Sequence, residues 1–195
     1  MIVDTESIKI TKEEIAELPV IEYDGRIVTI QTAEEAEKAV SYLSTFKLLG
    51  FDTETKPAFK KGVVNKVALL QLSTQDTCFL FRLNMIGMPE SLAKLLANDH
   101  VLKIGLSLKD DFAQLNRLCG ITPKGFIELQ SFVKPFGIAD NSLQKIFAIL
   151  FQQKISKKQR LTNWAADVLT DAQKKYAALD AWACLSIYNR LSERF

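Results

Sequence analysis

The feature that most constrains this chain is an apolar stretch that ends in acid: Leu48-Leu49-Gly50-Phe51 runs directly into Asp52-Thr53-Glu54-Thr55. In an extended strand residues i and i+2 project from one face, so Asp52 and Glu54 point the same way. Two adjacent carboxylates repel, and ending an apolar strand with them is costly unless cations lie between them. Taken alone, the pair reads as the solvated end of a strand.

Two further segments carry acids inward. Lys109-Asp110-Asp111 opens a helix predicted from about Lys109 to Cys119, after a strand at Val101–Gly105. Helical spacing puts Asp111 on the stripe of Leu115 and Leu118, which should face the sheet. It puts Asp110 with Gln114 and Arg117, toward water. The alternative for Asp111 is a first-turn acid that complements the helix dipole. Tyr176 and Asp180 lie four apart in a long helix predicted over Asp171–Ser192, with Thr170 as its N-cap. Their stripe continues through Cys184, Ile187 and Leu191, all apolar. An aspartate there must be paired, hydrogen-bonded or metal-bound, because an unpaired buried charge is very costly. An ion pair with a lysine or arginine at the core edge is the plain alternative. Three elements with one inward acid site each can build an all-oxygen centre suited to magnesium or manganese. A tetrahedral zinc set is excluded, since the single histidine, His100, sits in a surface turn and Cys78, Cys119 and Cys184 are scattered.

The rest of the chain fits one domain. At 195 residues, with 48% hydrophobic and 25% charged, it is neither disordered nor collagen-like. No apolar run is long enough for a membrane span and the N-terminus lacks a signal-peptide pattern, so a cytoplasmic location and no membrane partner are expected. Isolated cysteines fit a reducing compartment. Thr32 with Glu35 has capping-box spacing and opens a helix to about Phe46. Leu48–Glu54, Val67–Leu72 and Cys78–Phe81 read as an antiparallel meander, with a turn at Ser73–Thr77. A helix near Ser91–Asn98 follows, then a short apolar run at Phe126–Leu129, and the remainder is expected to be helical. This pattern predicts a mixed α/β fold, a central sheet with helices packed around it.

With these residues in view, the chain resembles the DEDDy 3′–5′ exonucleases, the group that includes ribonuclease D and the Werner-type exonuclease domains. Phe51-Asp52-Thr53-Glu54 is similar to motif I, Ile104-Gly105 through Asp111-Phe112 to motif II, and Tyr176-Ala177-Ala178-Leu179-Asp180-Ala181 to motif III. Val67–Leu72 and Leu161-Thr162-Asn163-Trp164 extend the likeness, which runs from about Gly25 to Leu191. Gly105 and Phe126-Ile127-Glu128-Leu129 favour the Werner-type branch. The sequence departs from the family at Thr55-Lys56-Pro57, where relatives carry an aromatic residue, and at Asp140–Leu143, which lacks an expected glycine. The resemblance implies a ribonuclease H-like fold, with residues 1–24 as an N-terminal extension and 25–195 as the exonuclease domain. It implies that Asp52, Glu54, Asp111 and Asp180 hold two divalent metal ions, Mg2+ or Mn2+, while Tyr176 orients or helps deprotonate the attacking water. The expected activity is stepwise hydrolysis from single-stranded or recessed 3′ ends of a nucleic acid, DNA first and RNA as the alternative, releasing nucleoside 5′-monophosphates. A non-catalytic nucleic-acid-binding protein on the same fold is the second alternative, and no protein partner is indicated.

Charge supports a polyanionic partner. Residues 1–38 hold ten acids and four bases, a balance of −6, so the remainder, with 21 bases and 13 acids, stands at +8. Setting aside the four site acids leaves 21 bases against nine acids, or +12. Cations meeting phosphates supply most nonspecific nucleic-acid affinity. Lys56, Lys60, Lys61 and Lys66 follow motif I in the acid-free stretch Thr55–Gln75, and Lys154, Lys157, Lys158 and Arg160 lie before motif III in the acid-free stretch Phe151–Ala166. These lysines and Arg160, with Thr53 and Thr55, are the candidate substrate contacts. Phe59 or an apolar wedge near Leu70–Leu72 is the candidate for base stacking. Trp164, Trp182 and Phe112 read as core, and the acidic first 38 residues are expected away from the substrate.

Overall fold

The structure is a computed structural model that describes residues 7–57 and 65–193. In chain order these form α1 (Lys12–Glu17), β1 (Arg26–Ile30), α2 (Ala33–Leu43), β2 (Leu48–Thr55), β3 (Val67–Ser73), β4 (Thr77–Phe81), α3 (Leu83–Ile86), α4 (Glu90–Leu96), β5 (Leu102–Gly105), α5 (Leu108–Cys119), β6 (Phe126–Glu128), α6 (Leu129–Phe132), a 3-10 turn (Lys134–Phe136), α7 (Leu143–Phe151) and α8 (Asp171–Ser192). Local chemistry sets many of the boundaries. Thr11, Thr32 and Thr170 each close a capping box with the acid or amide three residues on, satisfying helix-start amides. Ser142 caps α7 through Lys145 N, so that helix starts without a preceding glycine.

The six strands form one mixed sheet in the order β1-β4-β3-β2-β5-β6. β2, β3 and β4 are the expected antiparallel meander, while β1 runs parallel to β4, and β5 parallel to both β2 and β6. The two sheet faces bury separate cores. Leu49 and Phe51 of β2 pack with Leu70 and Leu72 against α2, α4 and α5. Leu69, Leu80 and Ile104 face α7 and α8. Alternation along β2 therefore sends Asp52 and Glu54 to the α8 side. The fold is a single α/β domain of the ribonuclease H-like kind.

Several expectations change. α2 stops at Leu43, three residues short of Phe46. β1 and α1 were not expected; β1 is an edge strand in which only Ile30 is fully buried, so its periodicity is weak. Residues 152–170 are largely irregular, not helical. The buried Arg82 fixes part of that stretch by donating to the Ala166 and Asp167 carbonyls. The N-terminal segment also joins the domain: Val20 bridges Lys154, and Ile8 bridges Ile138. Among the described residues, no helix is long and apolar enough to cross a membrane.

Candidate active site

The site forms where β2 outruns its neighbour. Pairing between β2 and β5 ends at Gly50↔Ile104, whereas β2 stays paired with β3 as far as Thr55↔Val67. The acidic end of β2 is thus open on one side and supported on the other. α8 crosses this strand at very short range. A Cβ built on Gly50 would lie 2.0 Å from the Ala181 carbonyl oxygen, so only glycine admits the helix there. That approach brings Asp180 beside the strand acids: Asp52, Glu54 and Asp180 each offer a carboxylate oxygen within 4.8 Å of the others.

Asp111 reaches the same region from α5 but is turned to Thr53, whose hydroxyl donates to Asp111 Oδ1. Thr53 is on the opposite side of β2 from the acids flanking it, so its hydroxyl is engaged with Asp111. Asp110 is exposed and Leu115 is fully buried, which is the helix register expected from the stripe. Tyr176, one turn before Asp180, lines the same cleft as that carboxylate, and its ring centroid lies 6.0 Å from that of the fully buried Trp164. Gln173 ties the start of α8 to the Trp164 segment through Thr162 Oγ1 (3.0 Å) and the Asn163 carbonyl (3.3 Å).

Crowding and burial act together on these groups. Burial, then the Glu54, Asp180 and Asp111 charges, push Asp52 well above the usual carboxylate range. Burial, then Asp180 and Asp111, raise Glu54 to about 9, against the pull of Arg160. Asp180 rises to about 7 through burial, resisted by the Tyr176 hydroxyl and by Arg160 and Lys157. Asp111 rises to about 6, again through burial, with the Thr53 bond opposing. Burial and the neighbouring carboxylates also hold the Tyr176 phenol strongly toward its neutral form. Gln71, directly across from Asp52 on β3, is fully buried with both amide atoms unpartnered. Anionic oxygens forced together in this way fit hard divalent cations, which would relieve the repulsion and accept oxygen ligands.

The expected substrate contacts separate in space. Arg160 and Lys157 are exposed and line a cleft of about 290 Å³ with Ser107, Asn141, Tyr176 and Asp180. Lys158 instead lines a separate cavity of about 420 Å³, which Tyr176 also borders, together with Lys175 and Val20–Tyr23. Lys66 lines a third cavity with Gln114 and Arg117, and Lys56 is exposed just beyond β2. Thr55 closes β2 and is half-buried. Lys60, Lys61 and Phe59 lie outside the described residues. Lys154 is not a free cation, because its ammonium donates to the Ala16 carbonyl. Leu70 and Leu72 are fully buried, so the expected stacking wedge is core. Trp182 and Phe112 are only half-buried, and the Trp182 indole donates to the Gln75 carbonyl at 3.0 Å. The acidic N-terminal segment is not wholly remote: Glu22 pairs with Lys175 at 3.3 Å, one residue from Tyr176.

Sequence reading missed the supports. Gly50 was visible but its role needs the helix crossing. Glu128 was seen only as part of a strand; its carboxylate accepts from the Ser107, Leu108 and Gln130 amides at 3.1, 2.8 and 3.0 Å.

Asp52, Glu54 and Asp180, with Asp111 and Tyr176 beside them, form an acidic cluster at the open end of a ribonuclease H-like sheet, an arrangement able to hold a metal ion. The chain belongs to the 3′-5′ exonuclease family, whose profile matches residues 27–195. It is 32% identical over 190 residues to the mouse bifunctional 3′-5′ exonuclease/ATP-dependent helicase WRN, covering 89% of this chain and 13% of that protein. It is 34% identical over 155 residues to exonuclease 3′-5′ domain-containing protein 2 of Drosophila melanogaster, covering 77% of this chain and 26% of that one. The chain thus spans about a quarter or less of these two relatives. In fold it is similar to Escherichia coli RNase D, described as an exoribonuclease involved in structured RNA processing, with a TM-score of 0.78 at 21% identity, over 86% of this chain and 44% of that one.

Proposed function

We propose that this protein is a divalent-cation-dependent 3′–5′ exonuclease that removes nucleoside 5′-monophosphates from the 3′ end of a nucleic acid, with DNA as the preferred substrate. The observation that carries this reading is the convergence of Asp52, Glu54 and Asp180 within 4.8 Å. Asp52, Glu54, Asp111 and Asp180 are the residues proposed to hold two ions, Mg2+ or Mn2+, whose chemistry is to activate water and stabilise the leaving 3′-oxygen.

The protein's own side chains do the rest. Tyr176, kept neutral, orients the attacking water with its hydroxyl and restrains Asp180. Arg160 and Lys157 bring positive charge to the scissile phosphate, where hydrogen bonds to ionised groups are strong. Lys56, Lys66 and Lys158, with Lys60 and Lys61, hold the strand by its phosphates, which needs no reading of bases. Thr53 fixes Asp111, and Thr55 ends the strand near the terminal nucleotide. Residues 25–195 are the exonuclease domain and 1–24 its N-terminal extension.

Greater likeness to the Werner-type relative than to RNase D favours DNA over RNA. The test is digestion of 5′-labelled DNA and RNA of matched sequence with Mg2+ or Mn2+, with chromatography of the released product. Faster release of deoxynucleoside 5′-monophosphates is expected. Preferential cleavage of RNA would move the assignment to an RNA-trimming enzyme, and binding without release would leave a non-catalytic binder.

A further inference from the structure

The helix that carries Asp111 starts badly by its own sequence. Its N-cap, Ser107, sits in the left-handed region with φ 61°, and makes no side-chain cap bond. The turn is also cramped. A Cβ on Gly105 would approach Leu108 Cδ2 to 2.5 Å and Phe51 Cδ1 to 3.1 Å. α5 therefore starts from a tight turn beside Phe51 of β2, with two amides at its start that no group of its own segment satisfies.

Glu128 satisfies them from another strand. It pairs with Gly105 in the β5–β6 register, which sets its carboxylate under the turn. One oxygen accepts from Ser107 N at 3.1 Å and the other from Leu108 N at 2.8 Å. The first oxygen also accepts from Gln130 N at 3.0 Å, so one side chain caps α5 and α6 together. The Gln130 amide then donates to Ser107 Oγ at 3.0 Å and to the Asn141 carbonyl at 2.8 Å, which extends the brace to the rim of the catalytic cleft. A full negative charge at this helix start also complements the helix dipole. Asp111 lies one turn downstream of the braced amides, where a small rotation of α5 would break its bond with Thr53.

We infer that Glu128 is the positioning residue for Asp111: its carboxylate supplies from β6 the N-cap that α5 lacks, and so holds Asp111 against the end of β2. The carboxylate is occupied by three backbone amides, so its role is to aim a ligand. This inference rests on the proposed function for the ligand role of Asp111, but the cap itself does not.

The experiment combines amide hydrogen exchange of the cation-free protein with Mn2+ titration followed by electron paramagnetic resonance, for wild type, Glu128→Ala and Glu128→Gln. A second variant, Glu128→Ala with Ser107→Gly, removes the left-handed strain and restores stability should the single variant fold poorly. Glu128→Ala is expected to lose protection at 107–111 and to bind Mn2+ about 10- to 100-fold more weakly, the usual cost of losing a group that orients a ligand. Glu128→Gln, which keeps one acceptor, should fall between. The double variant should regain stability without regaining Mn2+ affinity. Unchanged protection at 107–111, or Mn2+ affinity that returns with stability in the double variant, would overturn the positioning role. Wild type that takes up no Mn2+ would instead overturn the proposed function and the ligand half of this inference, while the exchange data still decide the cap.

Discussion

Asp52 is placed where its charge is least tolerable without a counter-ion, between Glu54, Asp180 and Asp111 and with little water to screen it. Asp52→Asn should therefore abolish hydrolysis yet stabilise the cation-free protein, because it removes the crowded charge and keeps the side chain's shape. Urea denaturation in EDTA would show this, and a destabilised variant would contradict the crowding argument. On α5 the two neighbouring aspartates should behave oppositely. Asp110 is exposed, so Asp110→Ala should stay within about 0.5 kcal/mol of wild type and keep full activity, whereas Asp111→Ala should be inactive. Parallel kinetic and melting measurements settle it, and the reverse pattern would mean that the helix register is wrong. Tyr176→Phe keeps the packing on Trp164 and removes the hydroxyl. It should lower kcat by about 10²–10⁴-fold, the range for a positioned proton-handling group, with Mn2+ affinity nearly unchanged in a titration.

The site is held by contacts between elements, and here sequence and structure part company. The Asp52/Glu54 pair and the Tyr176/Asp180 pair were legible because each depends only on the period of its own strand or helix. The register of Asp111 was legible for the same reason. Gly50 was not: its need for a missing Cβ arises only when α8, more than a hundred residues later, lies across it. Glu128 and Lys103 were equally silent. Lys103 is fully buried in β5 with its ammonium on the Leu95 and Asn98 carbonyls, at 3.3 and 2.6 Å, and 4.9 Å from the Phe126 ring. Nothing local in Leu102–Gly105 announces that partner. β1 escaped notice because it is an edge strand whose parallel partner is about fifty residues away. Gly50→Ala is the sharpest test at this scale. The added methyl meets helix backbone and not a flexible side chain, so stability should fall by about 1–3 kcal/mol or more, as for other overpacked sites. A variant as stable as wild type in urea, with intact Mn2+ binding, would mean that α8 does not press on β2 as described.

Across the whole molecule the raised carboxylates make stability depend on pH in an unusual direction. Folding raises Asp111 to about 6, Asp180 to about 7 and Glu54 to about 9, so over the window from the ordinary carboxylate range to about 9 the folded chain binds more protons than the unfolded one. Stability from these groups is complete below their unfolded values and is lost as pH rises through 6, 7 and then 9. Lys103, lowered to about 8, is charged in both states through most of that window and does not reverse the trend. In EDTA the melting temperature should therefore fall by several degrees between mildly acidic and mildly alkaline buffer, since each kcal/mol moves a chain of this size by about 2–4 °C. Adding Mn2+ at the alkaline end should restore it. A melting temperature that is flat or rises with pH in EDTA would contradict this. The near-neutral sum of +2 conceals this buried acidic cluster, at whose cleft Arg160 and Lys157 supply positive charge. The most direct test is digestion of 5′-labelled DNA with Mn2+, wild type beside Asp52→Ala. Wild type should shorten the strand one nucleotide at a time from its 3′ end while the variant leaves it intact. Equal shortening by both proteins, or none by either, would contradict the assignment of this site.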